Sequence, residues 1–512
     1  MFINYNILFQ NDILSIFPEL FLSIASITLL LYGVIYTTGQ IPNQYPTLVK
    51  QVCWLACIAL FFTILLILKN PIAHGTLFFN TVLLDDYTTF FKVIVVSSAL
   101  ITILISIDYL AQESLNNFEY IILISISTVG IMFLISSADL ISLYLAIELQ
   151  SLCFYVLAAG KRNSEFSTEA GLKYFLLGAF SSGLLLFGSA LIYGFTGMTN
   201  FLEISNLLHT ASDIETGTSY LRGCQLGMIF VLVGLLFKLT AAPFHMWAPD
   251  VYEGAPTAVT AFFAITPKTG IFAVVVRLFL HTFYDFLIPW QTVLIVCSLA
   301  SMIVGAFAAL SQNKIKRLLA YSSIGHVGYM LIGLCCGTIE GLQGLLIYLL
   351  IYIAMTINIF GIIMSPFRRE NMGAHNKGRV KYITDFAFLS KTNPVIAITL
   401  TITLFSMAGI PPLAGFYSKA FLFFAAINSS MYLLAFIGVI TSVISCFYYI
   451  RIIKIIYFQP QQAKARLQSS FSSLPKYSSL VVGGSLLLIT ILIAYPSPLY
   501  LATHKIALAL SI

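Results

Sequence analysis

Runs of about twenty apolar residues follow one another along almost the whole chain, and a run of that length is what a helix needs to cross the hydrocarbon core of a bilayer. In lipid, every backbone N–H and C=O must be satisfied within its own segment, so such runs fold as helices. Composition closes off the alternative. Of the 512 residues, 59% are hydrophobic and 9% charged, the mean hydropathy is +0.95, and a chain of this kind has too little polar surface to cover a water-soluble globule. The expected fold is an all-α polytopic membrane protein. Apolar stretches at 14–37, 50–68, 89–111, 118–137, 139–159, 170–197, 224–247, 257–281, 289–311, 315–337, 341–364, 393–427, 430–457 and 478–500 make about fourteen spans. The twelfth is long enough to be a broken helix. No polar stretch between spans is long enough to bury a core of its own, so residues 1–512 read as a single membrane domain.

The loops carry an orientation signal. Basic residues gather in the connections after odd-numbered spans: Lys50; Lys161 and Arg162; Lys314, Lys316 and Arg317; Arg368, Arg369, Lys377, Arg379, Lys381 and Lys391; then Arg451, Lys454, Lys464, Arg466 and Lys476. Even-numbered connections show only Lys69 and Arg222. The positive-inside bias puts the odd loops on the cytoplasmic or matrix side and both termini on the other. The net charge of +6 is thus a topology signal, and no basic stripe with interleaved aromatics points to nucleic acid.

Bond-making chemistry finds no support. The eight cysteines have no iron–sulfur or zinc spacing, no facing histidine pairs suit a membrane haem, and a nucleotide fingerprint and a nucleophile elbow are missing. What remains is a chain built to move a small charged species. Span seven is interrupted by Pro243 in KLTAAPFHMWAP and span twelve by Gly409, Pro411, Pro412 and Gly415 in SMAGIPPLAGFYSK. Missing backbone donors there free carbonyls at membrane depth, where broken helices line hydrated paths. The breaks lie five spans apart, an odd number, so their helices cross in opposite directions, as in an inverted pair of five-helix repeats. The expected units are N-terminal helices 1–3 over 1–111, a first repeat over 118–281 (helices 4–8), a second over 289–457 (helices 9–13) and a C-terminal helix over 478–500. EAGLKYFLLGA and EGLQGLLIYLL, opening spans six and eleven, echo one another in support.

Isolated charges inside apolar runs are the candidates for function, since each costs about 2.5–3.5 kcal/mol at the bilayer centre on insertion scales. Glu148 lies mid-span, either gating a proton pathway or forming a structural ion pair with Lys238 or Lys173. Lys238 sits just over one turn before Pro243, where a desolvated ammonium exchanges its proton more readily. Lys268, preceded by Pro267, is the next carrier, and Lys173 is a carrier or a snorkelling lysine near the basic-loop end of its span. Lys419 follows the second break in the place that Lys238 holds in the first repeat. His326, among Ser322, Ser323 and Tyr329, joins a polar chain or is a satisfied buried histidine, and His245 passes protons or caps a half-helix. Glu19 reads as a helix entrance and Arg277 as a snorkelling residue.

The strings DLISLYLAIELQSLCFYVLAA, EFSTEAGLKYFLLGAFSSG, FKLTAAPFHMWAPDVYEGAPT, IKRLLAYSSIGHVGYM and AGIPPLAGFYSKAFLFFAA resemble those of the antiporter-like subunit 2 family of respiratory NADH:ubiquinone oxidoreductase, complex I, whose bacterial form is the N-type subunit. The resemblance covers nearly the whole chain and is greatest to plant and green-algal mitochondrial forms. It implies proton translocation through a buried Glu/Lys axis, with Glu148, Lys173, Lys238, Lys268 and Lys419 at the family's positions. Glu148 approaching or leaving Lys238 would alternate that lysine's hold on its proton. It also implies no cofactor in this chain, with FMN, iron–sulfur clusters and ubiquinone in partner subunits. Expected partners are other membrane-arm subunits, including neighbouring antiporter-like and small hydrophobic ones, and lipids such as cardiolipin. The opening MFINYNILFQNDILSIFPELFL lacks an Arg- and Ser-rich presequence, so the expected location is the mitochondrial inner membrane, with organelle encoding and the basic loops on the matrix side, and a bacterial plasma membrane or a thylakoid as the alternatives. Two rivals stand beside this reading: a cation/proton antiporter not linked to NADH oxidation, and an inert spacer.

Overall fold

The computed structural model describes residues 12–37, 46–71, 75–113, 117–161, 163–212, 218–365, 367–369, 377, 378, 380–387, 389–458, 469–471 and 474–511. Arg162, Arg379, Lys464 and Arg466 lie outside them. The chain is helical almost throughout. In order come α1 (Phe17–Ile35), α2 (Pro46–Leu68), α3 (Asp86–Gln112), α4 (Glu119–Ser136), α5 (Leu140–Ala158), α6 (Glu165–Thr196), the short α7 (Phe201–Ser212), α8 (Thr218–Leu239), α9 (Trp247–Gly254), α10 (Thr257–Arg277), α11 (Leu287–Leu310), α12 (Ile315–Cys335), α13 (Ile339–Ile363), α14 (Pro394–Ala408), α15 (Ala414–Asn428), α16 (Tyr432–Phe458), α17 (Lys476–Ala494) and α18 (Ser497–Ser511). Two small antiparallel sheets sit in connections: a hairpin of β1 (Gly75–Leu77) and β2 (Val82–Leu84), and β3 (Phe367–Arg369) between β4 (Lys377–Gly378) and β5 (Ser469–Phe471).

Among the described residues, twelve helices are long and apolar enough to cross a membrane, or thirteen if α17 and α18, bent 87° from one another, make one span. These numbers lie within two of the expected fourteen. The 393–427 stretch, expected to be broken, is outside them: it is split into α14 and α15, of 15 residues each, and neither alone spans a hydrocarbon core. Span seven also stops early, at Leu239, and its expected last residues lie in the turn leading to α9.

Burial separates the helices into a centre and a rim. α10 is buried along its whole length and α13 along 94% of its most apolar window, whereas α1 and α6 bury only 33% of theirs. A helix apolar all round is a core helix, so α10, α12 and α13 form the middle of the body. The outer helices turn Leu, Ile and Phe outward, as with Leu172, Leu176 and Phe180 on α6, which suits lipid or a neighbouring subunit. Two ion pairs tie the periphery to this middle. Glu19, in the first turn of α1 as its reading as a helix entrance expects, also meets Lys92 on α3 at 2.6 Å, with both side chains almost wholly buried. Arg277 does not snorkel: it is buried, donates to the Ile135 carbonyl at 3.1 Å and pairs with Asp85 at 2.6 Å.

Candidate functional site

The first part of the site is built on one stripe of α5. Positions three, four and seven apart share a helix face, and Glu148, Ser151 and Tyr155 follow that spacing. Glu148 is half-buried; one carboxylate oxygen has no hydrogen-bond partner, and the other lies 3.4 Å from the Ser151 hydroxyl. Among the described residues it forms no ion pair, with Lys238 or with Lys173. Tyr155 reaches across to α8, where its hydroxyl accepts from the Lys238 Nζ at 3.5 Å and its ring centroid lies 5.8 Å from that ammonium. Lys238 occupies the last turn of α8. The next residue but one, Thr240, takes a left-handed conformation (φ +66°) that ends the helix, and the Trp247 indole N–H occupies the Phe237 carbonyl at 3.0 Å.

Lys268 owes its surroundings to the proline before it. Pro267 brings no N–H to the Phe263 carbonyl one turn earlier, and the Tyr252 hydroxyl donates to that carbonyl at 3.4 Å. The Tyr352 hydroxyl docks on the neighbouring Ala264 carbonyl at 3.3 Å. Both rings then flank the Lys268 Nζ, each centroid at 5.9 Å, and among the described residues the ammonium has no hydrogen-bond partner. A cation over an aromatic face gains about 0.5–2 kcal/mol. Two such contacts offset much of the cost of about 2.5–3.5 kcal/mol for a lysine at this depth.

The second break holds its lysine another way. α14 ends in a left-handed Gly409 (φ +83°), and the Lys419 Nζ donates to the freed carbonyls of Met407 and Ala408, both at 3.0 Å, with the Tyr329 ring centroid at 5.0 Å. Glycine is needed at 409 twice over. A Cβ would be 3.0 Å from the Lys419 Cδ, and few side chains adopt that φ. The two lysines therefore lie on opposite sides of their breaks, Lys238 before and Lys419 after.

Three small cavities of about 10 Å³ each, room for about one water molecule, connect these parts. The first lies between Lys238 and Lys268 and touches Tyr252. The second runs from Tyr252 and Tyr352 to Ser322 and Ser323. The third runs from Ser322 past His326 to Lys419 and Tyr449. Shared walls at Tyr252 and Ser322 make one polar row across the middle of the body.

Other candidates fall elsewhere. Lys173 is half-exposed and paired with Glu169 (2.7 Å) and Asp250 (2.9 Å), at the end where Arg317 and Lys314 meet Asp250 and Glu253. His245 is buried in the first break, its Nδ1 without a hydrogen-bond partner among the described residues, and its carbonyl accepts from the Ala248 N–H. Pro243, Pro411 and Pro412 lie exposed on the breaks' outer faces, and the Ala242–Pro243 and Pro411–Pro412 bonds are cis. His326 does not bond to Ser322, Ser323 or Tyr329; its nitrogens meet Tyr348 and Tyr449. Among the described residues no group of three His, Cys, Asp or Glu is placed to hold a metal. Sequence reasoning passed over Lys92, a lone charge in TTFFKVIVV that the same rule picks out, and the tyrosines at 155, 252, 348, 352 and 449. For Tyr348 and Tyr352 the signal was their spacing of four on a buried helix.

Comparison with known proteins gives a consistent answer. Residues 137–445 match the protein family described as NADH:quinone oxidoreductase/Mrp antiporter, TM. The chain is 53% identical over 504 residues to NADH-ubiquinone oxidoreductase chain 2 of Marchantia polymorpha (98% of this chain, 100% of the relative) and 49% identical over 505 to that of Arabidopsis thaliana (98% and 97%). It is 44% identical over 476 residues to NADH-quinone oxidoreductase subunit N 1 of Rhizobium meliloti (92% and 95%). Among solved structures, a chain of respiratory complex I from Thermus thermophilus matches with a TM-score of 0.74 and 28% identity, over 94% of this chain and 98% of that one. The Mrp complex from Dietzia, at 20% identity and a TM-score of 0.78 over 97% of each chain, shares the fold.

Proposed function

The chain belongs to the family of NADH-ubiquinone oxidoreductase chain 2 and its bacterial counterpart, subunit N, and from that membership we propose that the buried row is the path along which this subunit moves protons. It is an antiporter-like membrane-arm subunit of the proton-translocating NADH:ubiquinone oxidoreductase, complex I, and a multi-pass mitochondrial membrane protein. One observation carries the proton path: three buried lysines, two at helix breaks and one beside a proline inside a continuous helix, line a row of cavities that share walls. Buried cations are too costly to be retained as packing.

In this reading Glu148 is the modulator. Its free carboxylate oxygen and half-buried position let it respond to a charge on a neighbouring subunit. A unit charge moved to about 8 Å from an ammonium changes its energy by about 2 kcal/mol at an effective dielectric of 20, or about thirtyfold in proton affinity. A change of that size biases Lys238 towards holding or releasing its proton. Lys268 passes the proton across the centre, His326 continues the row, and Lys419 is its far station. Lys173 with Asp250 serves at the rim, and His245 serves beside the first break. The breaks at Pro243 and at Pro411 and Pro412 belong to two inverted five-helix units, 118–281 and 289–457, with 1–111 and 478–500 outside them.

The subunit works in the inner membrane, encoded within the organelle, with its basic loops on the matrix side. Neighbouring antiporter-like and small hydrophobic subunits cover its outer faces, and FMN, iron–sulfur clusters and ubiquinone reside in partners. The cavity of about 370 Å³ is lined by Lys161, Lys314, Lys316 and Lys381 together with Glu113 and Glu253, which pair with Lys161 and Lys314, and an acidic lipid such as cardiolipin would meet its remaining positive charge. The test is Lys268→Met in the assembled complex, reconstituted in vesicles. NADH oxidation by an artificial electron acceptor should be unchanged while protons moved per NADH fall. Full pumping by this variant would refute the row as a path.

A further inference from the structure

His326 is held unlike any other titratable group in the row, because a hydroxyl stands at each ring nitrogen. Nδ1 lies 2.7 Å from the Tyr348 Oη and Nε2 3.1 Å from the Tyr449 Oη. All three side chains are buried, at 3%, 1% and 1% exposure, and they come from α12, α13 and α16. A neutral imidazole has one N–H and one lone-pair nitrogen, and a tyrosine hydroxyl both donates and accepts. The triplet therefore has two arrangements that differ only in the direction in which its hydrogen bonds run. We propose that Tyr348, His326 and Tyr449 form a proton wire in which the ring changes tautomer, joining the Lys268 side of the row to the Lys419 side. This rests on the row being the proton path.

In one arrangement the Tyr348 hydroxyl donates to Nδ1 and Nε2–H donates to the Tyr449 oxygen. As Tyr348 takes a proton on its oxygen and gives its own to Nδ1, Nε2 gives its proton to Tyr449, whose hydroxyl proton leaves towards the cavity it shares with Lys419. One proton arrives and one departs, and no net charge comes to rest on a ring buried between two lysines. The ring finishes in the opposite tautomer, so a second transfer in the same direction waits until it has turned over. The surroundings fit this use. Tyr352, one turn after Tyr348, is the residue whose ring flanks Lys268. Ser322 and Ser323 donate to carbonyls of their own helix, and Tyr329 pairs with Thr441 at 3.1 Å, so none of them competes for the ring.

The decisive variant is His326→Gln in the assembled complex, since an amide offers one donor and one acceptor between the same hydroxyls but does not relay a proton. Assembly and NADH oxidation by an artificial acceptor should stay normal. Protons pumped per second should fall by about tenfold or more, with similar losses in Tyr348→Phe and Tyr449→Phe, which keep their rings. The solvent deuterium isotope effect on coupled turnover should rise in the glutamine variant as this transfer becomes limiting, a readout that a purely structural role would not move. Normal pumping in the glutamine variant, or a loss matched entirely by loss of assembled complex, overturns the wire. Lys268→Met measured alongside separates the two levels: if it fails to pump while His326→Gln pumps, the wire alone is wrong; if both pump, the row is wrong as well.

Discussion

At the first break, α8 stops at Leu239 and Thr240 takes the left-handed turn at φ +66°; at the second, α14 stops at Ala408 and Gly409 takes it at φ +83°. The backbone solution is alike, and the lysines are held differently. Lys238 has one long contact, 3.5 Å to a tyrosine hydroxyl, on a helix facing a half-buried carboxylate. Lys419 donates to two carbonyls at 3.0 Å, while the cavities beside the two lysines are alike in having no acid in their walls. A cation on carbonyls at a helix C-terminus is held by charges that do not move. A cation beside a carboxylate answers to wherever that carboxylate's own partners put it. The first break is therefore built to be switched and the second to stay poised.

The largest effect should come from removing each cation in turn. Lys419→Met leaves two buried carbonyls without a donor, at about 1–3 kcal/mol each, so the amount of complex assembled on a native gel should drop along with pumping. Lys238→Met gives up one weak contact, and the complex should assemble in near-normal amounts yet pump poorly. Equal assembly of the two variants would remove the distinction drawn between the breaks. A middle-sized effect should follow from exchanging the turn residues. A non-glycine residue in the left-handed region costs about 1–2 kcal/mol. Thr240→Gly should therefore raise the temperature at which the complex loses activity, while Gly409→Thr should lower it further than that cost alone, since its side chain also meets Lys419. A fall in that temperature for Thr240→Gly would show that Thr240 is kept for a contact rather than tolerated as strain.

The breaks and their lysines were legible because they violate strong rules. Proline and glycine inside an apolar run free carbonyls, and a lone charge there stands out against leucine and isoleucine. The partners were not legible, because a tyrosine in an apolar helix looks the same whether it anchors to lipid, fills a core or holds a lysine. Tyr449 lies 123 residues from His326, and no local pattern links them. The exact helix count was hard to read for the same local reason. A 35-residue apolar stretch at 393–427 says that a break exists without saying that each half is too short to span. Glu19 was read only as a helix entrance because its partner, Lys92, is 73 positions away, and an ion pair needs both ends in view.

The smallest effect tests whether the first break depends on its one hydroxyl. Tyr155→Phe keeps the ring over Lys238 and removes only the oxygen 3.5 Å from its ammonium. The ion remains, so assembly should be unaffected. A hydrogen bond to a charged group contributes about 1.5–3 kcal/mol, and one this long should fall at or below the bottom of that range, which predicts a slowing of pumping by less than about tenfold. Gly178 supplies an independent way to make the same change. A Cβ there would collide with the Tyr155 hydroxyl and lie 2.8 Å from the ring's Cε1 and Cζ, so Gly178→Ala should push the hydroxyl off Lys238 without deleting it. If both variants slow pumping to a similar extent and Ser151→Ala does so less, the hydroxyl is what steadies the first lysine. If Gly178→Ala pumps normally while Tyr155→Phe does not, the ring can move without consequence, and the switchable character of the first break rests on Glu148 alone.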